Sequence, residues 1–383
     1  MRFDFIPFFN PGENIPFHQT ISMMRDQTAL AQEAGFSTVW VTEHHFAHDG
    51  YLNAAPNSIL MCSDLAAHYD AMRVGMAPVV LPDKHPLRVA EDVALLDNLT
   101  AGRVEFGVGR GNNERSCIQF DVRADPRNDQ QNYAIFMEAI DVIIAAMTED
   151  PFRFDGDYYR FPEPGWHEKN TFCQPYDQRY YAEDGEYIAM GVHPKPYQQP
   201  HPPIWLASDK LRAYEYAAGR GFNVLCNTGP RKNIRAGWEA YRTIASATHG
   251  RELALGEGVG LSQMIYVGTS MEHAAETVRP AINKYWGFLS GARAGGEWSR
   301  KWMLADDVEF TLEDEQADWF DFLQKHQLIW VGDADYVSSM LELYQAEIGL
   351  RHILFLQQFP GVAFSDIIGG MDRFAADVMP RFQ

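Results

Sequence analysis

Short apolar runs alternate with amphipathic stretches along most of the chain. The apolar runs are hydrophobic at nearly every position, without polar residues at alternate places. Such runs are typical of strands that are buried on both faces of a parallel sheet. They predict eight strands, at residues 2–9, 37–42, 73–81, 104–109, 203–208, 223–227, 259–267 and 352–357.

The amphipathic stretches between these runs predict helices. Residues 86–99 are an example, because Pro86 opens the stretch and Val89, Val93 and Leu96 share one face. Strands that alternate with helices indicate an α/β fold, and eight such units predict a (β/α)8 TIM barrel with insertions. The alternative is an open doubly wound sheet, but no G-x-G-x-x-G motif follows an early strand. The predicted helices span residues 20–34, 53–67, 86–99, 129–147, 210–219, 230–248, 270–286, 311–326, 333–348 and 362–378.

Two segments interrupt this alternation. Residues 150–200 are rich in proline and tyrosine, and we predict a folded insertion there, between the fourth helix and the fifth strand. Residues 287–310 contain several glycines and predict a mobile loop that could serve as a lid. A barrel with insertions reaches this chain length, so residues 1–383 are predicted to form a single domain.

Composition narrows the possible partners and the compartment. The 383 residues carry a formal net charge of −20, which argues against nucleic acid or an anionic membrane as a partner. No apolar run of about 18 residues predicts a transmembrane helix, and the start MRFDFIPFF lacks the layout of a signal peptide. Four cysteines without paired spacing favour free thiols in a reducing cytoplasm.

Three titratable residues follow the second predicted strand, in the stretch WVTEHHF. They are Glu43, His44 and His45, and folding alone does not require them there. In a barrel, the carboxyl ends of the strands face the reaction chamber. Adjacent side chains point in different directions, so the three cannot converge on one metal ion. We expect His44 to be functional, whereas Glu43 and His45 either share that role or support the strand end.

The fourth and fifth predicted strands end in residues suited to an anionic ligand. Glycines surround Arg110 in VEFGVGRGNN; they let a ligand approach the backbone, although glycines at strand ends also serve turns. Ser208 and Asp209 precede a helix and predict either ordinary N-caps or part of a phosphate cradle. Lys210 and Arg212 would add positive charge to such a cradle.

The third predicted strand contains the dipeptide Ala77-Pro78 inside an apolar run. Proline removes a hydrogen bond from the ladder, so this position predicts a bulge or a cis peptide bond at the chamber. A simple strand irregularity is the alternative.

Several stretches resemble the bacterial luciferase-like flavin-dependent monooxygenase family, above all its luciferase alpha chains. The resemblance covers nearly the whole chain outside the insertion and the glycine-rich loop. It is carried by WVTEHHF at 40–46, VVLPDKHPLRVAEDVALLDNLTAGRVEFGVGRG at 79–111, PIWLASDKLRAYEYAAGRGFNVL at 203–225 and FAADVMPRF at 374–382.

The resemblance implies a (β/α)8 barrel that binds reduced FMN delivered by a separate flavin reductase. In the family, the flavin reacts with O2 to give a C4a-hydroperoxide, which then oxidises a small or medium organic substrate. A homodimer, or a heterodimer with a related chain, is also implied. Two alternatives stay open: hydride transfer with the deazaflavin F420 on the same fold, or a non-catalytic flavin-binding subunit.

Residue by residue, the resemblance makes His44 the catalytic histidine. Ala77 and Pro78 match an unusual peptide link beneath the flavin ring, and Arg110 matches an arginine that meets the flavin phosphate. The chain departs from the luciferase alpha chains at Gly109, where they carry a reactive cysteine, which argues against light emission from a long-chain aldehyde. The phosphate loop is matched by Ala207, Ser208, Asp209 and Arg212; its Ser-Asp pair departs from the family pattern, so these phosphate ligands are provisional.

Overall fold

The computed structural model describes residues 1–7, 15–46, 55–111, 114–292 and 300–383. Within these ranges the strands are β1 (Arg2–Ile6), β2 (Thr38–Val41), β3 (Arg73–Met76), β4 (Val79–Val80), β5 (Val104–Gly109), β6 (Phe154–Asp155), β7 (Arg160–Phe161), β8 (Ile204–Ala207), β9 (Asn223–Asn227), β10 (Val259–Val267), β11 (Trp330–Gly332) and β12 (His352–Leu356). The α-helices are α1 (Phe17–Ala34), α2 (Ser58–His68), α3 (Pro86–Leu99), α4 (Glu114–Phe120), α5 (Asp129–Thr148), α6 (Leu211–Arg220), α7 (Arg231–His249), α8 (Met271–Ala292), α9 (Leu312–Gln316), α10 (Trp319–Lys325), α11 (Ala334–Ile348) and α12 (Phe364–Arg373).

Each of the eight predicted strands has a counterpart in the structure. The third is divided, because β3 ends before Ala77 and β4 resumes after Pro78. The sequence pattern missed three short strands, β6, β7 and β11, and the short helix α4. The single helix predicted at 311–326 is in fact two, α9 and α10, since Asp318 caps a new helix with its side chain.

The chain divides into two compact units, which we call unit 1 (Met1–Ala77 with Ile204–Gln383) and unit 2 (Pro78–Pro203). In the described part of unit 1, seven strands pair in parallel in the order β8, β9, β10, β12, β1, β2, β3. β11 also pairs with β10. The remaining predicted strand, β5, is the fourth along the chain; it lies in unit 2 and pairs in parallel with β4.

The seven-stranded sheet of unit 1 curls strongly. The rings of Trp40 on β2 and Trp205 on β8 lie 5.6 Å apart edge to face, although four other strands separate β2 from β8 in the pairing order. Both rings belong to one buried cluster with Ile6, Leu225 and Leu354. This inner cluster therefore fills the concave face of the sheet, and side chains that alternate in phase with it point inward.

A polar network closes the amino ends of these strands. Asp4 is fully buried and accepts hydrogen bonds from Trp40 Nε1 at 2.7 Å and from Arg2 Nε at 3.0 Å. His352 Nε2 lies 2.7 Å from the Asp4 carboxylate, and Arg2 also donates to Thr38 Oγ1 at 2.8 Å. A buried carboxylate is tolerated only with such partners, so this end of the sheet is a satisfied, packed core.

Two glycines leave room for the large rings of this core. A Cβ at Gly75 would lie 2.4 Å from Trp40 Cε3, and a Cβ at Gly260 would lie 2.7 Å from His352 Nδ1. Side chains at these positions would displace the rings, so glycine is required for packing rather than for a turn.

The segment 150–200 lies in unit 2 and is folded. It contains the antiparallel hairpin of β6 and β7. Glu138 on α5 anchors it, because its carboxylate accepts the backbone N–H groups of Tyr158 at 2.8 Å and Tyr159 at 2.7 Å. The assignment of the whole chain to a single domain with this insertion stays a prediction.

Part of the predicted lid segment 287–310 is helical, and its role as a lid stays a prediction. Residues 287–292 are helical, because α8 continues to Ala292 in spite of Pro280 and Gly287. Trp286 and Leu289 are buried in a cluster with Phe320, and this packing outweighs the weak helix propensity of glycine. Residues 293–299 lie outside the described residues, and Arg300–Met303 form a 3-10 turn. No helix in the described ranges is long and apolar enough to cross a membrane.

Candidate active site

The carboxyl end of β2 carries the three titratable residues of the WVTEHHF stretch. His44 is partly exposed, and its backbone N–H donates to Ala55 O at 3.1 Å. Glu43 is only 4% exposed; its Oε2 accepts from Ser58 N at 3.2 Å and from Ser58 Oγ at 3.0 Å. His45 Nε2 lies 3.4 Å from Glu43 Oε1. Glu43 and His45 thus make supporting contacts, and both histidines are partly exposed.

The Ala77-Pro78 dipeptide interrupts the third predicted strand, as expected. Ala77 N still donates to Val41 O at 2.8 Å, and pairing resumes where Val79 faces Val108. Of the bulge and the cis bond offered as alternatives for this position, the cis bond is wrong: within the described residues, cis bonds precede five other prolines, all between residues 150 and 200. Ala77 is partly exposed and packs against the inner cluster of unit 1.

Pro78 explains the glycine at position 109. Both residues lie in unit 2, and a Cβ at Gly109 would come within 2.5 Å of Pro78 Cγ. The proline ring therefore fills the space that a side chain at 109 would need. Gly111 has a positive φ of 76° and a Cβ there would meet Cys117 Sγ at 2.7 Å. Glycine at 109 and 111 is explained by neighbouring protein atoms, without a ligand.

Arg110 in unit 2 is held by the first turns of α5. Its Nε donates to Asn132 Oδ1 at 2.9 Å, and one terminal nitrogen donates to the Asp129 carboxylate at 2.8 Å. The guanidinium also lies over the ring of Tyr133, 5.1 Å from its centroid. This bracing orients Arg110, and Asp129 offsets part of its charge.

The helix that follows β8 starts without a side-chain cap. Its N-cap residue is Lys210, whose side chain makes no capping hydrogen bond. The expectation that Ser208 or Asp209 caps α6 is wrong, because both lie too early in the chain. Ser208 Oγ accepts from Lys210 N at 3.3 Å, whereas Asp209 Oδ1 accepts from Asn227 N at 2.7 Å. Since this helix end has no carboxylate cap, it is suited to an external anion.

Asp209 joins the ends of β8 and β9 and is the most perturbed acid of this region. Asp209 is exposed as a residue, although the neighbouring protein atoms reduce the hydration of its carboxyl group. This loss of hydration raises the pKa of Asp209 to about 6, against the opposing effect of the hydrogen bond from Asn227 and of the nearby Lys210 charge. Ala207, the last residue of β8, is partly exposed beside it.

The sequence pattern did not single out two further polar residues at this edge, Asn227 and Thr228. Asn227 ends β9 and donates its N–H to Asp209. Thr228 Oγ1 is buried and has no hydrogen-bond partner in the part of the chain that the structure describes. A polar residue that ends an apolar strand, as in NVLCN, is the signal that could have identified this edge. A buried hydroxyl without a partner can be satisfied by a ligand or by water.

The predicted site residues therefore fall into two groups. His44, Ala77, Ala207, Ser208, Asp209 and Arg212 follow or end strands of unit 1, and Arg212 is exposed in the first turn of α6. Pro78 and Arg110 belong to unit 2. The described ranges contain no cluster of three or more His, Cys, Asp or Glu side chains that could hold a metal ion.

Proteins with similar sequences include monooxygenase components. The chain is 26% identical over 396 residues to the oxygenase component of the flavin-dependent trigonelline monooxygenase of Acinetobacter baylyi, covering 100% of this chain and 96% of that protein. It is 24% identical over 370 residues to the alkanal monooxygenase alpha chain of the Kryptophanaron alfredi symbiont, covering 91% and 89%.

Solved structures show the fold. The monooxygenase RslO1 from Streptomyces bottropensis superposes with a TM-score of 0.78 at 21% identity, covering 100% of both chains. An F420-dependent secondary alcohol dehydrogenase in complex with an F420-acetone adduct gives 0.66 at 14% identity, covering 100% and 99%. The predicted (β/α)8 TIM barrel is thereby confirmed.

The sequence model of one family matches most of the chain. That family is described as luciferase-like monooxygenase, and the match spans residues 1–351. The chain therefore belongs to the luciferase-like monooxygenase family.

Proposed function

We propose that this chain is the oxygenase component of a two-component flavin-dependent monooxygenase. It takes reduced FMN from a separate reductase and uses O2 to oxidise a small or medium organic substrate. The observation that carries this proposal is His44, a partly exposed imidazole at the carboxyl end of the second strand in a chain of this family. Active sites of TIM barrels lie at that end of the strands.

His44 is proposed as the group that takes up and returns a proton during oxygen chemistry. Bound reduced FMN would supply the two electrons of the reaction. One oxygen atom of O2 enters the product, and the other leaves as water. Imidazole suits proton transfer, because its ordinary pKa is close to neutrality.

The FMN phosphate is proposed to bind at the uncapped start of α6. Ser208, the first-turn N–H groups and the exposed Lys210 and Arg212 supply donors and positive charge. The orphaned hydroxyl of Thr228, one residue beyond β9, is a further donor that suits an anion. Asp209 is proposed to shape this cradle by holding Asn227, and not to contact the phosphate as a charged ligand.

Arg110 is proposed as a further phosphate ligand, and Ala77-Pro78 as part of the surface beneath the flavin ring. The contacts of Arg110 with Asp129 and Asn132 fix its orientation before a ligand arrives. Because Asp129 partly neutralises the guanidinium, Arg110 would contribute directed hydrogen bonds more than net positive charge.

The separate reductase is supported by one relative, which is itself named an oxygenase component. A homodimer, or a heterodimer with a related chain, is proposed with it. A non-catalytic flavin-binding subunit is the weaker alternative, since such a subunit has no need of a catalytic imidazole at His44.

The competing function is hydride transfer with F420, favoured by the structural likeness to an F420-dependent dehydrogenase. Equilibrium binding of FMN, reduced FMN and F420, followed by oxygen uptake with a supplied reductase and a panel of organic compounds, separates the two. Tight binding of reduced FMN with substrate-dependent oxygen uptake supports the monooxygenase. Binding of F420 alone, without oxygen uptake, would establish the alternative.

A further inference from the structure

One carboxylate ties together the two residues that flank His44. Glu43 Oε2 accepts two hydrogen bonds from Ser58, and Glu43 Oε1 lies 3.4 Å from His45 Nε2. The backbone N–H of His44 is itself fixed to Ala55 O. The residues before and after His44, and its own amide, are thus attached to one another or to the segment that starts α2. We call this set of contacts the Glu43 clamp.

Two members of the clamp, Glu43 and Ser58, are buried, so the hydrogen bonds between them are strong constraints. Glu43 is 4% exposed and Ser58 is fully buried. A carboxylate in such a place costs several kcal/mol unless its acceptors are satisfied. Two of its donors come from the first residue of α2, where the helix dipole also favours negative charge. The side chain of Asn57, the N-cap of α2, accepts the backbone N–H of Leu60. The backbone N–H of Ser58 donates instead to Glu43.

We infer that Glu43 is a positioning residue for His44: through Ser58 and His45 it sets the backbone from which the His44 imidazole projects. This inference rests on the proposed function, because it concerns the same site. A carboxylate that only stabilised the fold could bond to Ser58 alone. Its second bond, to the residue just beyond His44, restricts the chain on both sides of the imidazole. Proton transfer depends on sub-ångström placement, so this restriction matters for rate.

The test compares variants in two backgrounds, wild type and His44→Ala. Glu43→Ala removes every side-chain contact of the clamp. Glu43→Gln keeps an oxygen for Ser58 and an amide for His45, so it preserves the geometry without the charge. The measurements are the dissociation constant of reduced FMN and the rate at which oxygen reoxidises it when bound.

We expect Glu43→Ala to slow reoxidation by about 10- to 100-fold in the wild-type background. Glu43→Gln should stay within about 3-fold of wild type, because hydrogen bonds rather than charge hold the segment. In the His44→Ala background, Glu43→Ala should cause no further slowing, since the residue it positions is gone. The affinity for reduced FMN should be unchanged in all of them.

A matched control is Asp314, another carboxylate in unit 1 that is almost fully buried. It accepts from Thr311 N at 2.9 Å and Thr311 Oγ1 at 2.7 Å, much as Glu43 accepts from Ser58. Asp314→Ala should lower stability without slowing reoxidation. If Glu43→Ala does not fold, Ser58→Ala removes one bond of the clamp and should give a smaller slowing that also disappears in His44→Ala.

The outcomes separate this inference from the proposed function. Equal slowing by Glu43→Ala in both backgrounds, or slowing by Asp314→Ala of the same size, would show that Glu43 acts only through general stability. Normal reoxidation in Glu43→Ala, with slow reoxidation in His44→Ala, would overturn the positioning role alone. Normal reoxidation in His44→Ala would overturn both, and failure to bind reduced FMN at all would refute the proposed function itself.

Discussion

The two ends of the parallel sheet in unit 1 are chemically opposite. At the amino ends, Asp4 is buried among Arg2, Trp40 and His352, and every contact is made within the protein. At the carboxyl ends, His44 and Asp209 keep accessible surface, and a hydroxyl near Asp209 has no partner in the described structure. One sheet thus carries a closed polar core at one end and an open polar rim at the other.

The pKa values of two aspartates, one at each end, are shifted in opposite directions. Burial opposes ionisation of Asp4, but the charges and hydrogen bonds of His352 and Arg2 outweigh it, so the pKa of Asp4 is lowered. Asp209 is exposed as a residue, but reduced hydration of its carboxyl group raises its pKa to about 6, because hydrogen bonds from Asn227 and the charge of Lys210 offset this effect only in part. Burial alone therefore does not decide the charge state; the partners do. Changes at the amino end should affect stability, and changes at the rim should affect function.

The largest expected effect is at the rim. His44→Ala should lower substrate oxidation by about 10²- to 10⁴-fold, because it removes the proton-transfer group. Its free energy of unfolding should change by less than about 1 kcal/mol, since His44 is partly exposed. Steady-state kinetics with a supplied reductase and urea unfolding measure the two effects. A variant that keeps full turnover would remove His44 from the mechanism.

Next in size is the amino end. Asp4→Ala should lower the free energy of unfolding by about 3–5 kcal/mol, because it leaves Arg2 without its buried counter-ion and the buried His352 ring without its hydrogen-bond partner. Urea unfolding of wild type and variant gives this difference. Asp209→Ala is the control at the opposite end of the sheet, and it should lower the free energy of unfolding by far less.

The pH dependence of the Asp4 effect has a definite sign. Because the folded pKa of Asp4 lies below its ordinary value, its contribution to stability is complete above that ordinary value. It is lost as the pH falls through the lowered, folded value. Unfolding curves in acid should therefore bring wild type and Asp4→Ala together; a difference that persisted in strong acid would contradict the ion-pair explanation.

The third effect tests how tightly the inner core is packed. Gly75→Ala should cost about 1–3 kcal/mol, because a methyl group at 75 would overlap the ring of Trp40. Gly229, which follows β9 at the rim, has no atoms within 4 Å of an added Cβ. Gly229→Ala should therefore be close to neutral. Thermal unfolding of both variants compares the two ends directly, and equal costs would contradict the difference in packing.

The smallest effect concerns the charge of Asp209. At mildly alkaline pH its carboxylate repels an anion at the start of α6, so Asp209→Asn should tighten FMN binding by about 2- to 5-fold. Asparagine keeps an acceptor for Asn227, which preserves the link between β8 and β9. Fluorescence titration with FMN measures the change.

The sign with pH follows from the raised pKa. The wild-type carboxyl is neutral below about 6, so the affinities of wild type and Asp209→Asn should converge as the pH falls through that value. The free energy of unfolding of wild type should rise relative to that of Asp209→Asn as the pH falls through this range, because the folded state holds the proton more tightly than the unfolded state. Parallel curves would mean that Asp209 does not titrate in this range.

The sequence pattern located most of the fold because parallel strands buried on both faces are uniformly apolar. The interruption at Ala77-Pro78 was also foreseen, since proline cannot complete the ladder. The extension of α8 past Gly287 was not, because tertiary contacts of Trp286 and Leu289 outweigh local propensity. Strand β11 has only three residues, too few for a pattern to stand out.

The site was harder to predict from sequence. His44 could be singled out because titratable residues seldom end a buried strand without a reason. The partnership of Glu43 with Ser58 joins residues fifteen positions apart, and only the fold brings them together. The start of α6 was misjudged for the opposite reason: Ser208 and Asp209 are good caps by residue type, but the chain turns into the helix only at Lys210.

The contact between the Pro78 ring and the bare backbone at 109 restricts the order in which these positions can change. A thiol introduced at 109 would collide with the ring, whereas a smaller residue at 78 would first open the space. Evolution or engineering of a cysteine at 109 should therefore pass through the loss of the proline, and the reverse order should be blocked at its first step.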